Sequence, residues 1–141
     1  MFYYKSLGDD VVAPSKAHRE DAGFDLFAPH DIVIHGDSLV KVNLELAVEV
    51  GPGTVGLILG RSSLASLGID ILGGVVDAGY SGEVSVVLCN NSSWGPVTIK
   101  KGKAIAQIVP LVLAPRADKE LQEYDFAGGE RGEGGFGSSG R

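Results

Sequence analysis

Residues 40–50 read Val40-Lys41-Val42-Asn43-Leu44-Glu45-Leu46-Ala47-Val48-Glu49-Val50. Apolar side chains fall on every even number and mostly polar ones between them, the two-residue period of a β-strand with one face in a core. Gly51-Pro52-Gly53 then breaks the pattern with turn-forming residues, and Val55 to Leu59 resumes it as an apolar run. Two strands joined by a tight turn are expected here.

Working outward, short runs rich in branched side chains occur at Ile32 to Ile34, Gly82 to Cys89, Val97 to Ile99 and Ala104 to Leu113, separated by Gly, Pro, Asn and Ser. Many short strands at such spacing predict an all-β sandwich, jelly roll or barrel. Only Ser63 to Leu67 reads as helix, one short turn capped by Ser62 and stopped by Gly68. No internal repeat is present.

With 141 residues, of which 44% are hydrophobic and 21% charged, the chain fits one domain with a core of its own. A net charge of −6 argues against direct nucleic-acid binding, which needs clustered Lys and Arg. No apolar run approaches the roughly 20 residues that span a bilayer, and no basic-then-apolar leader opens the sequence. No membrane association is expected. The single Cys89, set among Val86, Val87 and Leu88, reads as a small buried hydrophobe in a reducing, cytoplasmic setting.

From Gly128 onward half of the residues are Gly. Such a segment cannot build a core, so the expected division is a folded domain over 1–127 and a mobile Gly-rich tail over 128–141. Phe136 between glycines, with Arg131, Ser138 and Ser139 nearby, keeps a binding role for this tail open. Its literal G-x-G-x-x-G (Gly132, Gly134, Gly137) is a false match to the dinucleotide fingerprint, which needs a strand before it and a helix after it. His18-Arg19-Glu20 resembles half of a zinc deaminase signature, but the other half needs two cysteines. His18, His30 and His35 are spaced as surface or structural residues.

Three stretches carry chemistry. Gly60-Arg61-Ser62-Ser63-Leu64 puts a guanidinium and two hydroxyls where a strand gives way to a short helix, an arrangement suited to phosphate though common on protein surfaces. In Gly74-Val75-Val76-Asp77-Ala78-Gly79-Tyr80-Ser81-Gly82 a lone carboxylate follows an apolar pair and precedes a Gly-rich turn. Asp77 is either a turn former or, if partly desolvated beside Val76, a general base. Asp25, isolated in Ala22-Gly23-Phe24-Asp25-Leu26, is either a solvent-facing residue of an edge strand or an acid that positions hydrated magnesium.

These blocks, with Gly102-Lys103-Ala104-Ile105-Ala106-Gln107-Ile108 and the segment Arg131 to Gly140, resemble the five motifs of trimeric dUTPases, in the family's order and from residue 22 to the last residues. The resemblance implies a β jelly roll assembled as a homotrimer with active sites shared between chains. It implies a dUTP diphosphatase that uses Mg2+, hydrolysing dUTP to dUMP and diphosphate by water attack on the α-phosphorus. Such an enzyme limits uracil incorporation into DNA and supplies dUMP for dTMP synthesis.

By the same resemblance, Asp77 is the base and Tyr80 packs beneath the deoxyribose, excluding a 2′-hydroxyl. Main-chain groups of a hairpin from Gly74 to Ser85, including Val75, Val76, Glu83 and Val84, read the uracil. Arg61, Ser62, Ser63 and Gln107 hold the phosphates, and Asp25 contacts the metal through water. The tail becomes a lid, with Phe136 and Gly137 over the uracil and Arg131, Ser138 and Ser139 toward the γ-phosphate. Two positions depart from the family pattern: Ala78-Gly79 replaces the usual second acid after Asp77, and Gly60 stands where many members carry Pro. Neither carries a catalytic role.

A dCTP deaminase of the same fold would need a catalytic Glu near Val87, and Val84 to Cys89 holds no acid. A non-catalytic dUTP-binding sensor would have no use for Asp77 as a base.

Overall fold

The computed structural model describes residues 2–114 and residue 123. Among these, ten strands and one short helix follow in order: β1 (Phe2–Ser6), β2 (Phe24–Phe27), β3 (Ile32–Ile34), β4 (Ser38–Val50), β5 (Thr54–Leu59), α1 (Ser62–Ala65), β6 (Ile69–Leu72), β7 (Val75–Asp77), β8 (Glu83–Asn90), β9 (Val97–Ile99) and β10 (Ala104–Val112). They build one sheet in the order β1-β4-β8-β6, a second in the order β2-β10-β5-β7, and a two-stranded β3-β9 ribbon. All named pairings are antiparallel. The expected all-β jelly roll is thus realised, and among the described residues no helix is long and apolar enough to cross a membrane.

The even-numbered side chains of β4 point inward as their period predicts: Val42, Leu44, Leu46, Val48 and Val50 are buried. They meet Val84, Val86 and Leu88 from the same sheet and Leu26, Ile58, Val76, Ile105 and Ile108 from the other. Ile32, Ile34 and Ile99 of the ribbon close one end of this core. Truncating one of these large side chains to Ala would cost about 2–5 kcal/mol.

β4 is not regular throughout. Between Asn43↔Ser85 and Ala47↔Glu83 its register against β8 slips, four steps on β4 answering two on β8. Because the surplus is two residues, the inward and outward faces keep their parity and Leu44 and Leu46 stay in the core. Glu45, within the slip, has φ 55°, a left-handed backbone that costs a residue with a Cβ about 1–2 kcal/mol.

Three expectations need correction, while that of two strands joined by a tight turn at 51–53 is met; β4 and β5 each pair with other strands, β4 with β1 and β8, β5 with β10 and β7. The turn carries the chain from one sheet to the other, which two long apolar faces allow because each packs against the other across the core. Likewise β7 pairs with β5 while β8 pairs with β4 and β6. The stretch from Gly74 to Ser85 is therefore a crossing between sheets whose two arms separate, not a ladder-bonded hairpin.

The helix begins one residue early, at Ser62, with Arg61 in the N-cap position and no side-chain cap; Ser66 closes it, and Gly68 N donates to Ala65 O at 2.9 Å. Cys89 is only partly buried, since it lies on the outer face of β8, and its thiol donates to Asn91 Oδ1 at 3.2 Å. Its neighbour Asn90 is the buried one, donating to Ile34 O (3.0 Å) and Gly95 O (3.1 Å) and accepting from Ser92 N and Ser92 Oγ. A polar side chain in the core is tolerated because its amide is fully bonded. The division expected at residues 127 and 128 lies outside the described residues.

Candidate active site

The strand register decides which site residues meet. Gln107 on β10 stands opposite both Asp25 of β2 and Leu59 of β5. Two residues beyond Leu59 comes Arg61, whose Nη1 donates to Asp25 Oδ1. Gln107 Nε2 donates to Gly60 O at 3.1 Å, fixing the start of the same loop. Residues far apart in sequence, 25, 60–61 and 107, thus converge at one level of the β2-β10-β5-β7 sheet.

Arg61 and Asp25 are partly buried, their side chains 31% and 20% exposed. The guanidinium is aimed by this pair, and its Nε is buried with no acceptor among the described residues. A planar cation with unused donors is what an oxyanion requires. Ser62 and Ser63 stand exposed on the one turn of helix that follows.

No group of three or more His, Cys, Asp or Glu residues that could hold a metal converges among the described residues. Without such a group, a Mg2+ ion here would have to keep most of its waters and take its other oxygens from a bound ligand, as this ion commonly does.

The second cluster lies elsewhere on the sheet. Asp77, the last residue of β7, pairs with Val55, four residues from Leu59 and so about 13 Å further along the strands. Gly74 starts this arm with φ 111°, its carbonyl accepting from Ile58 N at 2.7 Å; a Cβ there would come within 2.6 Å of Ile58 O. Only glycine permits that approach. Beyond Asp77 the chain turns, with Tyr80 N donating to Asp77 O at 3.1 Å, and the Tyr80 hydroxyl donates to Glu83 O at 3.0 Å.

Between the parted arms lies a cleft of about 240 Å3 lined by Gly74, Val75, Val76, Tyr80, Glu83, Val84 and Ser85, with Lys41 and Ile58. Six of these lining residues lie in the stretch expected to face the base, and Tyr80 is the one expected beneath the deoxyribose. Lys41 and Ile58 were missed because each reads as an ordinary position of an alternating or apolar strand. Only the packing of β4 and β5 against the crossing shows them to be cleft residues.

Of the two readings open for Asp77, partial desolvation beside Val76 is not met within one chain, where Asp77 is exposed. β7 is a three-residue edge strand with the burial pattern exposed, buried, exposed, so Val76 goes inward and Asp77 outward. Glu83 is engaged at both ends, its carboxylate accepting from Glu45 N at 2.8 Å and its carbonyl from the Tyr80 hydroxyl. Arg131, Phe136, Gly137, Ser138 and Ser139 lie outside the described residues.

A family model described as dUTPase matches residues 9–140 of the chain. The deoxyuridine 5'-triphosphate nucleotidohydrolase of Mycolicibacterium gilvum (strain PYR-GCK) is 40% identical over 140 residues, covering 95% of this chain and 91% of that protein. Its counterpart in Nocardia farcinica (strain IFM 10152) is 37% identical over 139 residues, covering 96% and 83%. Among solved structures, the Staphylococcus bacteriophage 80alpha dUTPase with dUPNHPP matches with a TM-score of 0.87 at 28% identity, covering 100% of this chain and 99% of that one. The EIAV dUTPase gives a TM-score of 0.75 at 28% identity, covering 89% and 100%. Sequence match, fold and the arrangement of the five motif blocks agree: the chain belongs to the dUTPase family.

Proposed function

We propose that the chain hydrolyses dUTP to dUMP and diphosphate, with Asp77 as the base that takes a proton from the water attacking the α-phosphorus. The observation that carries this reading is the cleft between β7 and β8, lined by residues of both arms and by Tyr80, with Asp77 next to the lining residue Val76 at the end of β7. A pocket so lined suits a flat base with fixed donor and acceptor edges. Uracil fits, and a base that reverses one of those edges leaves buried groups unpaired at about 1–3 kcal/mol each.

Tyr80 beneath the deoxyribose would exclude a 2′-hydroxyl by bulk. Arg61, Ser62, Ser63 and Gln107 would hold the phosphate chain, the guanidinium supplying charge-assisted bonds to oxygens that gain charge as the bond breaks. Asp25, already turned toward Arg61, would fix hydrated Mg2+ beside the same phosphates. When bound, Mg2+ offsets the charge on the departing diphosphate. Arg131, Phe136, Gly137, Ser138 and Ser139 are proposed to close over the nucleotide and exclude bulk water from an exposed Asp77.

The register favours sites shared between chains, and the family resemblance makes the number three. Asp77 and Asp25 lie three strand spacings and four residues apart, about 20 Å in one chain. One bound triphosphate cannot keep its first phosphorus at Asp77 and its metal at the Asp25 of the same chain. A symmetric homotrimer resolves this by supplying the base from one chain and the phosphate-holding cluster from another. An intracellular, cytoplasmic setting is proposed on the free thiol of Cys89.

Incubation with dUTP and Mg2+ tests the reading. dUMP and diphosphate should form in equal amounts, with UTP a poor substrate and no ammonia released from dCTP. Ammonia from dCTP would make the chain a deaminase; tight dUTP binding without diphosphate would make it a sensor.

A further inference from the structure

Glu83 has two jobs in one residue. Its carboxylate reaches across to β4 and accepts from Glu45 N at 2.8 Å, and its main-chain carbonyl accepts from the Tyr80 hydroxyl at 3.0 Å. Glu45 is the left-handed residue inside the register slip, where residues 44–46 drop out of the β8 ladder. Its carbonyl is held separately, by Leu7 N at 2.7 Å. The slip therefore presents an N–H that the ladder does not use, and the Glu83 side chain takes it.

The consequence reaches the cleft. Glu83 is the first residue of β8, where the crossing from β7 rejoins a sheet. Anchoring it to β4 fixes the carbonyl that holds the Tyr80 ring folded back over the turn. Gly82 makes that fold-back possible, since a Cβ there would lie 2.6 Å from Tyr80 Cζ. Tyr80 N in turn bonds Asp77 O at 3.1 Å, so one connected set of bonds runs from β4 through Glu83 and Tyr80 to the end of β7.

We propose that Glu83 is a positioning residue for the sugar site: through Glu45 it locks the start of β8, and through its carbonyl it sets the Tyr80 ring that separates deoxyribose from ribose. The role rests on the dUTPase reading and deepens it. Glu83 touches no reacting atom, so its signature is in sugar discrimination rather than in the chemical step.

The test is steady-state kcat/KM for dUTP and for UTP in the wild type, Glu83→Ala, Glu83→Gln, Tyr80→Phe and the Glu83→Ala/Tyr80→Phe double variant, with melting curves for each. Glu83→Ala, which removes the carboxylate bond to Glu45 N and so loosens the carbonyl that holds Tyr80, should narrow the dUTP-to-UTP ratio about three- to tenfold, the effect of losing the one neutral bond between Tyr80 and Glu83 O. Tyr80→Phe, which removes the next bond in the same chain, from the Tyr80 hydroxyl to Glu83 O, without touching β4, should narrow it similarly. The double variant should be no worse than the poorer single, because both changes break one connection. Glu83→Gln keeps an oxygen acceptor at the same reach and should recover most of the lost ratio.

An unchanged ratio in Glu83→Ala, or losses that multiply in the double variant, would overturn the proposal. Should Glu83→Ala not fold, Tyr80→Phe decides alone: an unaltered ratio there removes the connection on which the role depends. A wild type that hydrolyses dUTP and UTP equally well, or neither, defeats the dUTPase reading itself, and the Glu83 role with it.

Discussion

Two levels of one sheet behave differently. At the level of Gln107 the charged residues are already engaged: Arg61 is paired to Asp25, both half-buried, and Gln107 is bonded to Gly60 O. At the level of Val55, Asp77 stands exposed at the end of an edge strand. The first cluster is preorganised within one chain, where interior strands β10 and β5 and the loop after β5 fix it from several sides. The second is only half built, because a short edge strand has a neighbour on one side only. A charge-stabilising cluster gains from rigid placement before the substrate arrives, whereas a base must stay reachable until substrate and water are in place. What surrounds Asp77 must then come from beyond the strands that carry it.

Breaking the exposed end should have the largest effect. Asp77→Asn is expected to lower kcat by about two or more orders of magnitude, the scale of a lost general base, while dUTP affinity by calorimetry stays near that of the wild type. Near-normal turnover would remove Asp77 from its role.

Breaking the preorganised end should act on binding. If Arg61 holds phosphate as proposed, Arg61→Ala should raise KM about ten- to hundredfold. It also sharpens the comparison through mixing. If base and cation serve one site from different chains, refolding Arg61→Ala together with Asp77→Asn should restore activity neither shows alone, through sites that draw Asp77 from one variant and Arg61 from the other. Additive background rates in the mixture would mean that each chain completes its own site.

The smallest effect belongs to a charge pair remote from both clusters. Asp31 accepts from Lys100 Nζ at 2.7 Å and Lys101 N at 2.9 Å, and the Lys100 bond, ahead of the backbone bond, holds its carboxyl below the ordinary 3.8. A lowered value in the folded state stabilises the protein above the ordinary carboxylate range, and the gain is lost as pH falls through the folded value. Both partners are exposed, so the contribution is small. Asp31→Asn should leave the melting temperature at pH 7 nearly unchanged and flatten its decline below about pH 4. A large loss at pH 7 would contradict this.

Much of this was legible in the order of residues. The two-residue period of β4 set its buried face, because alternation is a property of the extended backbone itself. The short apolar runs gave β3, β5, β8, β9 and β10 within a residue or two. β1 and β6 escaped notice because Phe2–Ser6 and Ile69–Leu72 are edge strands with mostly outward side chains, which carry little periodic signal. Gly74 to Ser85 was expected to face the base, and its arms, taken for one hairpin, belong to two sheets.

The sequence by itself determined an all-β domain, one face of its longest strand, and the five motif blocks that mark a dUTPase. The tertiary structure alone decided which strands pair. That choice made the 51–53 turn a passage between sheets and parted β7 from β8 to make the cleft. It also brought Asp25, Arg61 and Gln107 together while leaving Asp77 well apart from them. The physical reason is one of range: local propensity and periodicity act between neighbours in the chain, whereas pairing partners and the slip at Glu45 follow from packing two apolar faces against each other.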